Sequence, residues 1–542
     1  MAAKSRNRFQ APVEPVLEMD DIQGEVVPGF LKPHQTLLGL RVPAGIEVIW
    51  HFKMFLGELS GEISTAAQTL ADRRAYRNRS RASRFRRSED EECDVLTAIG
   101  FSSAGLKLLT PSASLIPGEA FHAGLIARSS LLGDPKDASS EGAPTNWVVG
   151  SPGAELDALV VVAGNRRKDV TERADRLASQ VGGAGISVAY RQDGDVRTGE
   201  ERGHEHFGFD DGISQPGIRG RASEAPGDFI TERHIDASEI PEVWLYGYPG
   251  QDLIWPGEFV IGYSKTGSDP LQPAPSDSPV PEWTRNGSFL VFRRLRQGVG
   301  LFWRTMREIA NELAKLPGFS GMDDTHLASL LVGRWPSGAP VNRAQGADIP
   351  ELGADAFANN NFQFDSNTPF LKLAGSHKDA YAQGKADPAG AACPWAAHIK
   401  KMNTRDSASD MGGRESTYNR RLLRVGVPFG NSLGNRYAPV DEDPEKGNRG
   451  LLFLCVQASI ERQFEFLVSS WANDPSRPKM PGGNDMLIGQ NSVPADGVRR
   501  CSLFGSGLQQ AQLSASQQWV IPTGGGYFFM PSISALSGVL AK

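Results

Sequence analysis

Leu156-Asp157-Ala158-Leu159-Val160-Val161-Val162-Ala163 is a short apolar run rich in β-branched residues, and together with the two elements after it this run decides the fold. Such a run suits a buried strand. Lys168 to Val181 then carries Val170, Ala174, Leu177 and Val181 on one helical face, and Gly182-Gly183 stops it. Ile186 to Tyr190 returns as a strand. The unit is strand, amphipathic helix, strand.

Toward the N-terminus the same alternation appears once more. Thr36 to Val42 reads as a strand, Ser60 to Arg74 as a helix with Ile63, Ala66, Ala67 and Leu70 at helical spacing and Ser60 as its cap, and Asp94 to Phe101 as a strand. A long irregular connection separates this unit from the next. Toward the C-terminus, residues 220–285 are rich in Pro, Gly, Asp and Ser, with one short strand candidate at Glu258 to Tyr263. Beyond them Gly287 to Leu295 reads as a strand, Leu301 to Leu316 as a helix, Leu422 to Val427 and Leu451 to Ser459 as strands, Glu461 to Asn473 as a helix and Tyr527 to Met530 as a strand. Each half therefore follows the ferredoxin-like order. The expected class is α+β: two ferredoxin-like units with antiparallel sheets and peripheral helices. Residues 1–219 form the first, 220–285 a loop-rich linker and 286–542 the second.

The 542 residues exceed what one hydrophobic core usually supports, which agrees with two units. A net charge of -6 with 39% hydrophobic and 22% charged residues describes an ordinary globular chain with no global field for nucleic acid or an anionic membrane. Met1 to Phe9 is basic, but no apolar stretch follows, so it does not read as a secretory signal. No apolar run approaches the roughly 18 residues of a spanning helix. Cys93, Cys393, Cys455 and Cys501 are scattered without metal-type spacing, as free thiols of a reducing compartment would be. The expected location is cytoplasmic. Arg73 to Arg87 is arginine-rich but answered by Glu89 to Glu92, the pattern of a neutralised surface segment rather than a nucleic-acid arm. Nothing in the sequence fixes an oligomeric state.

Three stretches can carry chemistry. Gly208-Phe209-Asp210-Asp211-Gly212-Ile213-Ser214-Gln215-Pro216 sets two acids between glycines, after His204-Glu205-His206. Glycine lets backbone approach a flat ligand closely. The plainer reading is an acidic surface turn. Cys393-Pro394-Trp395-Ala396-Ala397-His398-Ile399-Lys400-Lys401 reads as a helix start that presents His398, although a lone histidine is usually a satisfied polar side chain. Arg424 sits in the apolar run Leu422 to Val427, where a permanent charge must be exposed, paired or held near an anionic ligand.

Together with Asp21-Ile22-Gln23-Gly24, Gly450 to Gln457 and Gly525-Gly526-Tyr527-Phe528-Phe529, these stretches resemble the dye-decolorizing peroxidase family across nearly the whole chain. The resemblance implies a dimeric α+β barrel-like arrangement of the two units within one chain. It implies one haem b (iron protoporphyrin IX) per chain, held mainly by the C-terminal unit. His398 then falls on the haem-ligating position, Asp211 on the distal acid and Arg424 on the distal arginine, with Leu451 and Phe453 as apolar pocket residues. The implied partners are hydrogen peroxide and bulky organic reductants such as anthraquinone dyes and phenolics. The implied course passes through a ferryl intermediate, with Asp211 shuttling the proton and Arg424 stabilising O–O cleavage. A ligating imidazole also needs an acceptor for its other N–H. Glu465, on the border of the apolar stripe Phe464, Leu467, Val468 and Trp471, is the candidate acceptor, a solvent-facing Glu465 being the alternative. Trp244, Tyr246, Tyr248, Trp255 and Trp395 could relay electrons, but aromatics are more often core packing and no site is assigned to them.

Two other functions fit parts of the sequence. One is a haem-binding or iron-releasing protein on the same fold with little peroxide turnover. The other is a metal hydrolase using His204, His206, Asp210 and Asp211, which leaves His398 and Arg424 without a role.

Overall fold

The structure is a computed structural model that describes residues 11–82, 95–210, 212–236, 242–369, 371–375, 377–438, 448–480 and 482–542. At its centre, among these residues, lies a nine-stranded sheet with every neighbouring pair antiparallel. Its strands are β1 (His34–Arg41), β2 (Leu96–Phe101), β3 (Ala158–Gly164), β4 (Ser187–Asp195), β5 (Ser288–Gln297), β6 (Leu423–Arg424), β7 (Val427–Phe429), β8 (Gly450–Gln457) and β9 (Val520–Met530). The spatial order is β6-β8-β5-β9-β2-β3-β1-β4, with β7 also pairing β8.

This order repeats itself. The first half runs β4-β1-β3-β2 and the second β9-β5-β8-β6, each the fourth, first, third and second strand position of a ferredoxin-like unit. Phe101 opposite Phe529 joins β2 to β9. At the far edges, a Cβ on Gly194 of β4 would stand 2.4 Å from Val427 Cγ1 and 3.1 Å from the Pro428 carbonyl oxygen. Only glycine lets β4 and β7 approach this closely, and the sheet curls into a barrel-like shape. The α+β class with two ferredoxin-like units is the observed architecture.

Strands at the centre of the sheet bury both faces, which is why the sequence shows continuous apolar runs rather than alternation. In β3, Ala158, Val160 and Val162 pack with Val170, Ala174, Leu177 and Val181 of the helix Arg167–Gly183. Leu159, Val161 and Ala163 meet Leu290, Phe292, Leu452 and Leu454 on the opposite face. Ile230, Ile254, Phe259 and Val260 of the loop-rich segment join that second core. A third core unites the helices Val299–Leu313 and Asp324–Val332 with the hairpin of Arg499–Phe504 and Gln510–Ala515. Phe207, Phe209, Ala396, Met486 and Leu487 also enter it, so it draws three separate chain segments to one place.

Several local expectations change. Ile46–Ser60 is a helix where the sequence pattern announces no element. Ser60 is its last residue and donates to the Gly57 carbonyl, so it caps nothing. The next helix, Ala66–Ala82, starts on a capping box: Thr65 N donates to Gln68 Oε1 at 2.9 Å and Gln68 N to Thr65 Oγ1 at 3.2 Å. The connection after β2 is not irregular, since it holds the helices Ser103–Leu109 and Glu119–Arg128. Glu258 to Tyr263 is no strand: Pro256–Glu258 forms a 3-10 turn, and Phe259 and Val260 are buried plugs. Leu422 to Val427 is divided between β6 and β7. Cys393, Cys455 and Cys501 are free buried thiols, while Cys93 lies outside the described residues. Among the described residues no helix is long and apolar enough to cross a membrane.

Candidate active site

A cavity of about 320 Å³ lies between one face of the second half of the sheet and the segments around His398 and Gly212. The two-residue period of β8 builds one wall. Leu451 and Phe453 face the cavity while Leu452 and Leu454 are fully buried behind them. The register Leu451↔Leu295 and Phe453↔Arg293 adds two side chains of β5 to that wall. Phe464, Leu467 and Val468 close another side, and Ile399, Met402 and Leu487 a third.

His398 begins the one-turn helix His398–Met402 and lines the cavity. Its Nδ1 meets Asp485 Oδ2 at 2.8 Å. Asp485 is fully buried, and its Oδ1 accepts from the amides of Leu487 at 2.9 Å and Ile488 at 3.0 Å. Burial raises the pKa of this carboxyl, but His398 and the two amides outweigh burial and hold it below its ordinary value. The group is therefore an anion facing the imidazole. It fixes Nδ1 as the protonated nitrogen and raises the basicity of Nε2.

Arg424 enters the same cavity from β6. Its Nη2 donates to the Ser214 carbonyl at 3.0 Å, and the Gln215 amide brackets its backbone, Nε2 to the Arg424 carbonyl at 2.9 Å and Arg424 N to Oε1 at 3.3 Å. Ser214 is itself held by buried neighbours. Its hydroxyl donates to Asn360 Oδ1 at 2.8 Å and accepts from Arg334 Nη2 at 2.9 Å. Burial pushes Arg334 down to about 9. Gly208 and Gly212 have φ of 96° and 86° with open space where a Cβ would stand, so their backbone conformation rather than crowding calls for glycine. Asp210 and Gly212 line the cavity, and Asp211 between them lies outside the described residues.

Glu465 is not the partner of His398. It is buried at 2% exposure, neither at the cavity nor in solvent, and Arg128 grips it bidentately through Nε at 2.9 Å and Nη2 at 2.7 Å, with the Tyr527 hydroxyl at 3.0 Å. The segments Glu461–Glu465 and Leu467–Ala472 turn as wide π-type helix, which shifts the stripe from ideal α spacing. A buried carboxylate takes the nearest cation, and Arg128 supplies it. His204 and His206 also go elsewhere, to the carbonyls of Pro336 and Phe429, both at 2.9 Å. Burial lowers His206 to about 4. Among the described residues no group of three His, Cys, Asp or Glu is placed to hold a metal ion; Asp211, one of the four residues of the hydrolase reading, lies outside them.

Residues 21–198 match the model of the DyP dimeric alpha+beta barrel domain. The chain is 31% identical to dye-decolorizing peroxidase msp1 of Mycetinis scorodonius, over 97% of this chain and 88% of the relative. It superposes with a TM-score of 0.73 on an ancestral D-type dye decolorizing peroxidase, at 31% identity and covering 98% of this chain and 100% of the other. A dye-decolorizing peroxidase solved in complex with 2,6-dimethoxyphenol gives 0.69 at 26% identity, over 97% of this chain and all of the other. An α+β barrel of two ferredoxin-like units, similar along nearly its whole length to peroxidases of one kind, leaves one assignment: the chain belongs to the dye-decolorizing peroxidase family and is a peroxidase.

Proposed function

We propose that the chain binds one haem b in this cavity and uses it to reduce hydrogen peroxide while oxidising bulky organic reductants, anthraquinone dyes and phenolics among them. The observation that carries the reading is the His398–Asp485 pair at 2.8 Å, opening on an apolar cavity shared with Arg424. The 2,6-dimethoxyphenol complex of the related peroxidase supports phenolic reductants.

The donor set fits a haem. Leu451, Phe453, Phe464, Leu467 and Val468 would offer apolar surface to a flat macrocycle, and Leu451 and Phe453 would line the space where peroxide binds. The imidazole of His398 would hold the iron through Nε2, with Asp485 as the outer partner of that imidazole. Arg334, Arg405 and Arg420 line the cavity beside Arg424 and would offer positive charge to propionates, while Arg293 and Arg421, also at the cavity, are paired with Asp134 and Asp252. When bound, the haem supplies the redox chemistry, and the protein supplies access, orientation and protons.

Each peroxide takes up two electrons and two protons to give two waters, the electrons coming from two reductant molecules. Heterolysis of the O–O bond needs a proton moved from one oxygen to the other. Asp211, carried between Asp210 and Gly212, accepts it and returns it. Arg424, fixed through Ser214 and Gln215, stabilises the negative charge that builds on the departing oxygen.

The absorbance spectrum tests this reading. The purified protein shows a Soret band, and His398→Ala loses or shifts it; a variant with an unaltered haem spectrum overturns the ligand assignment. Steady-state oxidation of an anthraquinone dye by peroxide separates a peroxidase from a haem carrier or iron-releasing protein.

A further inference from the structure

We infer that Lys401 is a positioning residue for the iron ligand, clamping the loop that carries Asp485 to the short helix that carries His398; this rests on His398 being the haem ligand. His398 and Lys401 belong to the same five-residue helix. Lys401 is fully buried, and its Nζ donates to three backbone carbonyls: Asp474 at 3.0 Å, Gly483 at 2.6 Å and Arg477. An ammonium has three protons, so each has its own acceptor. All three acceptors lie in one stretch that runs from the end of the helix Leu467–Ala472 to the residue two before Asp485.

The arrangement is a two-point attachment. His398 binds Asp485 and Lys401 binds Gly483, so two side chains on one helical turn grip two positions of one loop. The loop is already fastened to its other neighbours, Gly483 N to the Pro475 carbonyl at 2.8 Å, Asn484 N to the Arg500 carbonyl at 2.7 Å and Asp485 N to the Ala472 carbonyl at 2.9 Å; the Lys401 bonds are what tie it to the helix of His398 at a second point. Gly483 has φ 94°, and a Cβ there would stand 2.5 Å from Cys501 Cα, so the loop is also seated against the hairpin strand Arg499–Phe504. The carboxylates of Asp485, Asp474 and Asp410 lie close enough to favour a cation at this point. A buried lysine is costly to desolvate, and burial lowers this one to about 8. A methionine would fill the same space but leave the carbonyls of Asp474, Arg477 and Gly483 without this donor, so the lysine serves hydrogen bonding and not packing.

Resonance Raman of the ferrous holoenzyme reads the strength of the iron–histidine bond through its stretching band. Asp485→Asn moves the band down. Lys401→Met moves it the same way by half or more of that shift, adds nothing in the Asp485→Asn background, and speeds haem transfer to an acceptor apoprotein by about 10-fold, the lower range for losing an outer partner. Lys401→Gln, which keeps two N–H donors, falls between and serves where Lys401→Met does not accumulate folded. A folded Lys401→Met or Lys401→Gln with the wild-type band, or an additive shift in the double variant, overturns the inference. If instead Asp485→Asn leaves the band in place, the fault lies with the His398 assignment itself.

Discussion

The two sides of the cavity hold their key side chains by different means: side-chain partners around His398, backbone of a loop around Arg424. Around His398, Asp485 and Lys401 are completely buried and each has its hydrogen-bonding capacity directed at named partners within one loop and one helical turn. Around Arg424, the guanidinium donates to the Ser214 carbonyl of a loop whose glycines adopt positive φ, and Gln215 of the same loop brackets the backbone of the arginine. In the role proposed for His398, a ligand to a metal, one orientation must be held, which favours saturated partners behind the imidazole. A group that handles protons and a small substrate must stay reachable, which favours a partly open wall with a preset charge.

Substitutions on the two sides therefore have different signatures. Asp211→Asn has the largest effect: the reaction of resting enzyme with peroxide, followed by stopped-flow absorbance, slows by about 10²–10⁴-fold while the haem stays bound. Wild-type rates contradict its role. Arg424→Leu slows the same reaction by about 10²-fold and raises the peroxide concentration needed for half-maximal rate, again without haem loss. Asp485→Asn acts the other way round. It weakens haem retention by about 10–100-fold, measured by transfer to an acceptor apoprotein, and its peroxide reaction changes less than that of Asp211→Asn. A reversed ranking between these two variants removes the distinction between the sides. Gly212→Ala is the mildest, because only the φ of 86° opposes it and no atom lies where the methyl would go. It costs about 1–2 kcal/mol, read as a lower urea midpoint.

The strands are legible in the sequence wherever both faces are buried, since such strands are written as unbroken apolar runs: β3, β5 and β8 lie within or close to the runs that announce them. The helix Ile46–Ser60 is not, because isoleucine, valine, tryptophan, phenylalanine and methionine crowd its first turns without a clean period. The capping box at Thr65 and Gln68 is written in the sequence and marks the next helix start better than Ser60 does.

At the site, the sequence by itself determined which residue types could act: an imidazole at the start of a short helix, an arginine inside a strand, and acids between glycines. Those signals are local, carried by neighbours along the chain. The family likeness could bring them together, but it named no partner for His398. The tertiary structure decided the pairing. Asp485 stands 87 positions from His398, and Arg128 stands 337 from Glu465. A buried carboxylate is satisfied by whichever donor the packing delivers to it, and side-chain spacing within one helix carries no information about donors that arrive from another part of the chain.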